Sequence, residues 1–210
     1  MKKLAMMLFV LGAALASSGV YAQNLLDNPD FDIDLGSWTC GTANGTAVRD
    51  SRDVDGAVDS GSLQIDNDAP FAAAKVSCVQ CVPVVEGVSY QLASWVYFAD
   101  EGAFTLDGSA RIQIMFSDDA GCVNSVGFGD VGYLEANPGN ADTWVPLITQ
   151  WNLAPAGANH ASAILITWAN IQDNPTRTHY DTVSLTDEGI FADDFESGDT
   201  TAWSLTIPSP

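Results

Sequence analysis

"VSYQLASWVYF", residues 88–98, puts Tyr90, Leu92, Ser94, Val96 and Phe98 on one side of an extended chain and Gln91, Ala93, Trp95 and Tyr97 on the other. A period of two is the signature of a strand with one buried face. The same alternation returns in "SARIQIMFS", residues 109–117, where Ile112, Ile114 and Phe116 oppose Arg111, Gln113 and Met115. Further strands are expected over 62–65, 72–82, 143–153, 160–169 and 178–186. Turn formers punctuate them: "VDGAVDSG", "VEG", "DEGAFTLDG", "DDAG", "ANPGN" and "APAGAN". Helical periodicity is hard to find. Many short strands at such spacing predict an all-β protein, an antiparallel β-sandwich.

Working outward, the first 22 residues read as a secretory leader: Lys2 and Lys3, an apolar stretch from Leu4 to Leu15, then Val20-Tyr21-Ala22 as a small-residue cleavage signal. That stretch falls short of the roughly 20 apolar residues a spanning helix needs, and no later segment is long and apolar enough. Residues 23–188 are expected to form one domain and 189–210 an acidic tail carrying Phe-Glu-Ser-Gly-Asp. Loss of the leader removes two of seven cations and none of 27 acidic residues, leaving a net charge of −22. Nucleic acid and anionic membrane surfaces are repelled by such a chain. A secreted protein, extracellular or periplasmic, is the expectation; the sequence leaves its oligomeric state open.

All four cysteines, Cys40, Cys78, Cys81 and Cys122, lie beyond the leader, which in an oxidising compartment reads as two disulfides. Cys78 and Cys81 form a CxxC, but its Val-rich surroundings look like a strand and not the strand–helix context of a redox motif. Three pairings are open. The expectation is Cys81 with Cys122, a loop worth about 4 kcal/mol in the chain-entropy model, leaving Cys40 to meet Cys78.

"NLLDNPDFDIDLGSW", residues 24–38, then becomes informative. It resembles the opening of the jelly-roll carbohydrate-binding modules attached to bacterial xylanases and cellulases, in which Asn, Pro or Gly, a small residue, Phe and Glu precede Gly and Trp. "GSLQI", "VVEGVSYQLASWVYF" and "HYDTVSL" resemble later strands of that family in the same order, so the likeness runs over residues 24 to 186. It implies a jelly roll with galactose-binding-like topology, with Phe31 and Trp38 plugging its edge. It also implies a structural calcium held by Asp32, by Asp181 and by loop carbonyls near Gly61 and Ser62, since calcium takes six to eight hard oxygens. Asp32 and Asp30 depart from the family's Glu and small residue. A second acidic stretch, "DSRDVDGAVDSG", has EF-hand-like spacing but Ser51 and Ser62 at the first and twelfth loop positions, so it reads as an acidic surface loop.

Ligand binding is expected on the outward faces of the two clearest strands, where Trp95, Tyr97, Arg111 and Gln113 would combine aromatic plates with planar hydrogen-bonding groups, the combination sugars require. A loop such as "FGDVGYLEANPGN" could instead cover the two rings. Trp144, Trp151 and Trp168 are expected to pack within their apolar strands. His160 and His179 stand without GxSxG or HExxH, and no carboxylate pair is singled out, so a catalytic role is not expected. Two readings follow: an exported, non-catalytic glycan-binding module, or an extracellular structural or adhesion protein of the same fold. A polysaccharide-degrading enzyme is a minor third. The closing "IFADDFESGDTTAWS" resembles short C-terminal segments of exported bacterial proteins, and residues 190–203 are too few to bury a core of their own.

Overall fold

The computed structural model describes residues 23–69, 74–171 and 174–188. The leader, the Phe-Glu-Ser-Gly-Asp tail and positions 72–73 of an expected strand lie outside these.

Eleven strands are present among the described residues: β1 (Thr39–Gly41), β2 (Gly45–Asp50), β3 (Ser62–Asn67), β4 (Lys75–Pro83), β5 (Ser89–Phe98), β6 (Gly108–Ser117), β7 (Ser125–Glu135), β8 (Trp144–Ile148), β9 (Asn152–Leu153), β10 (His160–Ala169) and β11 (Thr176–Asp187). They form two antiparallel sheets, one of order β1-β4-β10-β6-β7 and the other β2-β3-β11-β5-β8, with β9 also pairing β5. The chain is a β-sandwich of the jelly-roll class. The expected segment 143–153 divides into β8 and β9.

Side chains decide which face turns inward. Leu92, Val96 and Phe98 on β5, Ile112, Ile114 and Phe116 on β6, and Leu63, Ile65, Leu165, Tyr180 and Leu185 from the central strands are all buried, and form the layer between the sheets. Phe31 and Trp38 close one edge, their ring centroids 5.6 Å apart. Tyr180 lies wholly in this core, and its hydroxyl donates to the Ile166 carbonyl across the sandwich; burial pushes that phenol's pKa up.

One of the alternatives fails here. "FGDVGYLEANPGN" is not a covering loop, because residues 125–135 form β7, the edge strand beside β6. The glycines of this strand mark close approach. A Cβ on Gly127 would meet Pro155 at 2.9 Å, one on Gly129 would meet Asn152 at 2.7 Å, and one on Gly132 would meet Ile112 at 2.8 Å.

The disulfides join Cys40 to Cys78 and Cys81 to Cys122. The first links β1 to β4 at directly opposed positions facing the core. The second leaves the outer face of β4 and holds the 118–124 loop over it.

Candidate functional site on the five-stranded sheet

Register separates the four residues expected to form one site. Trp95 and Tyr97 lie on β5 in the six-stranded sheet, whereas Arg111 and Gln113 lie on β6 in the five-stranded one. All four point away from the core, and therefore in opposite directions. Alternation correctly gives inward and outward faces, but the 99–107 connection carries the chain from one sheet to the other. The shared site is thus corrected to two separate surfaces.

On the six-stranded sheet, Tyr97 is closed off. Arg52 stacks on its ring at 4.4 Å, Trp144 and His179 flank it at 5.4 and 5.7 Å, and its hydroxyl donates to Asp142. Trp95 remains partly exposed over a small trough of about 260 Å³ with Pro146, Ile148 and Ser184.

The outer face of the five-stranded sheet is built differently. Pairing of β4, β10, β6 and β7 sets side chains in rows: Cys81, Ser162, Met115 and Phe128; then Val79, Ile164, Gln113 and Val131; then Ser77, Ile166, Arg111 and Tyr133; then Lys75, Trp168, Ser109 and Glu135. Rows step two residues apart, about 6.8 Å, so the first and last are roughly 20 Å apart. Trp168 is not core, as was expected; it covers the Arg111 guanidinium at 4.2 Å, with Tyr133 at 5.2 Å from the same group. At the other end a trough of about 420 Å³ lies between Thr39, Val79, Ile164 and Met115, walled by Ser37 and the Cys81–Cys122 bridge. Phe128, Val131 and Tyr133 stand 64, 47 and 49% exposed along its β7 side. Trp168 and Tyr133 were missed because β10 is apolar on both faces and β7 reads as a loop; the parity Trp168 shares with Ile164 and Ile166 was the available signal.

The expected calcium ligands do not converge. The Asp181 carboxylate accepts from the amides of Val54 and Thr182, and Ser62 Oγ is engaged with His179 Nδ1 at 3.1 Å. Asp32 turns its side chain to solvent and offers its carbonyl. Three hard oxygens do meet nearby, the carbonyls of Phe31, Asp32 and Ser60, but the Arg49 guanidinium already holds them at 2.7, 2.7 and 2.8 Å. Gly61 makes room, since a Cβ there would meet Arg49 Cζ at 2.9 Å. The residues at this position do not fit calcium; they fit the cation the chain supplies. Arg49→Met is expected to cost about 3 kcal/mol, on the scale of hydrogen bonds to charged groups, while calcium or EDTA leaves the wild-type denaturation midpoint unchanged. A chelator-induced drop in the wild-type midpoint would contradict this.

Ser62 and His179 invite comparison with a nucleophile and its base, and hydrogen bonding excludes it. Arg52 Nη1 lies 2.9 Å from His179 Nε2, and a guanidinium only donates. Nε2 is therefore the acceptor, Nδ1 carries the ring proton, and that proton is donated to Ser62. His179 cannot take the hydroxyl's proton in this arrangement. Burial and the Arg52 charge lower its pKa to about 3.

No protein-family model and no curated sequence matches the chain. Solved structures do. TmCBM61, solved in complex with beta-1,4-galactotriose, superposes with a TM-score of 0.54 at 11% identity, over 80% of this chain and 100% of that one. The chain has the fold of a carbohydrate-binding module. The Clostridium thermocellum endo-1,4-beta-D-xylanase 10B CBM22-1-GH10 modules, complexed with xylohexaose, give 0.51 at 14% identity over 77% of this chain and 28% of theirs. The enzymatically active domain of Bacteriophage CBA120 tailspike protein 4 gives 0.55 at 18% identity over 78% of this chain, which spans only 21% of that longer one.

Proposed function

We propose that the protein is an exported, non-catalytic glycan-binding module that binds saccharide along the outer face of its five-stranded sheet. The carrying observation is the row-by-row platform of Trp168, Arg111, Tyr133, Gln113 and Met115 leading into the trough beside Cys81–Cys122. Sugar rings present apolar C–H faces that stack on aromatic plates and hydroxyls that planar amides and guanidinium groups bind. The platform's length of about 20 Å suits several linked sugars. Two disulfides support an oxidising compartment. The neighbours' fold supports the class of ligand.

Affinity electrophoresis and calorimetry against a panel of soluble polysaccharides test this. Trp168→Ala is expected to weaken the best ligand about thirtyfold, the ~2 kcal/mol of a lost aromatic anchor, while Trp95→Ala on the opposite sheet leaves affinity unchanged. Retained binding in the first variant and loss in the second would move the site to the six-stranded sheet. A panel with no binder would favour the structural or adhesion reading.

A further inference from the structure

Arg111 is unusual among the cations of this chain. Five Lys and Arg side chains lie in the described residues. Arg49 is spent on three carbonyls, Arg52 reaches His179 and Glu101, and Arg177 binds Asp66 through two nitrogens and reaches Glu101. Among the described residues the side chains of Arg111 and Lys75 have no hydrogen-bond or ion-pair partner. Both leave the same outer sheet face from adjacent rows.

Two polar atoms from neighbouring rows of this face are also unmatched. Arg111 Nε is buried against Trp168 with no acceptor, and Ser109 Oγ, two residues before it on the same face, is buried with no partner. Leaving such atoms unpaired costs about 1–3 kcal/mol each, more for a charged group. With 27 acidic residues against seven basic ones, a carboxylate for Arg111 is the easiest partner for this chain to supply. The one acidic side chain in these two rows, Glu135, stands at the β7 end of the Lys75 row and makes no ion pair with Arg111.

We propose that the ligand of this face is an acidic glycan, with a sugar ring over Trp168 and the carboxylate of a uronate in the fork of Arg111. This rests on the reading that the face binds glycan. With Trp168 and Tyr133 beside it and Nε buried, the guanidinium is left with its two unpaired Nη nitrogens to offer, and that end matches a carboxylate in two parallel hydrogen bonds. Lys75, exposed in the next row, stands to receive the remaining oxygens. The overall negative charge does not forbid the contact: the screening length is about 8 Å at physiological ionic strength, so remote carboxylates act weakly on Arg111 while a contact pair is little screened.

The test turns on one pair of polymers with the same backbone, one charged and one neutralised by esterification, set among other acidic and neutral polymers. Polygalacturonate and its fully methyl-esterified form, together with alginate, unsubstituted xylan and galactan, are titrated against wild type, Arg111→Met and Arg111→Lys, with thermal unfolding as the check that each variant is folded. Wild type is expected to bind a uronate polymer at least tenfold more tightly than any neutral one. Arg111→Met abolishes that preference, and Arg111→Lys, which keeps the charge without the fork, recovers only part of it. Equal or tighter binding of neutral polymers by wild type, or an acid preference that survives in Arg111→Met, overturns the inference and leaves the glycan-binding reading intact. Absence of binding to every polymer overturns both.

Discussion

Treated with a phosphine reductant under otherwise native conditions, the protein is expected to lose about 8 kcal/mol of unfolding free energy. The two bridges span 38 and 41 residues and their loops do not overlap. In the chain-entropy model each therefore contributes about 4 kcal/mol, and the contributions add. Domains of this kind are stable by roughly 5–15 kcal/mol in all, so the reduced chain stands near its folding threshold at 37 °C. Urea unfolding of the wild type, of a Cys40→Ala/Cys78→Ala pair and of a Cys81→Ala/Cys122→Ala pair separates the terms. The first pair should cost somewhat more than the loop estimate, because Cys78 is wholly buried and its replacement also leaves a void. A reduced protein with an unchanged urea midpoint would refute the argument.

The second large effect concerns pH and is visible only when one of two groups is removed. Burial, with Asp53 and Asp30 adding to it, raises the Asp181 pKa from 3.8 to about 7 in the folded protein. Between those values the folded state holds one proton more than the unfolded chain, so stability falls as pH rises through the window. His179 works oppositely: its pKa falls from 6.5 to about 3, the unfolded chain holds the extra proton, and stability rises with pH between them. From about pH 4 to 6.5 the two slopes cancel, and the wild type is expected to be nearly flat there. Asp181→Asn uncovers the His179 slope, a gain of up to about 3 kcal/mol across that range. His179→Gln uncovers the reverse, a loss of similar size. Denaturant midpoints at four pH values read both. A wild type with a steep slope, or two variants sloping the same way, would refute the pairing.

Much of the sandwich was legible because alternation is a local property. "HASAILITWA" marks β10 to the residue, and "SLQI" falls inside β3. The assignment of strands to sheets was not legible, since Trp95 and Arg111 both alternate outward and only the long-range pairing of β5 with β11 and β6 with β10 parts them. β7 was hidden by its glycines, whose need for close contact with Pro155, Asn152 and Ile112 arises only in the folded state. The same holds for Arg49, whose carbonyl partners come from residues 31, 32 and 60. On the proposed face, parity correctly turned Arg111 and Gln113 outward, while Trp168 was lost to the rule that a Trp in an apolar strand is core.

Arg49 replaces a borrowed ion with a covalently attached one at the three carbonyls. A sandwich tied by a borrowed ion is only as durable as the local supply of that ion, and polyuronates are themselves avid calcium sequestrants because their repeating carboxylates are hard oxygen ligands. A module of that kind, lodged in a matrix of acidic polysaccharide, would compete with its own binding target for the ion that keeps it folded. With a guanidinium in that place the tie at these three carbonyls is translated along with the chain and draws on no ion from the medium.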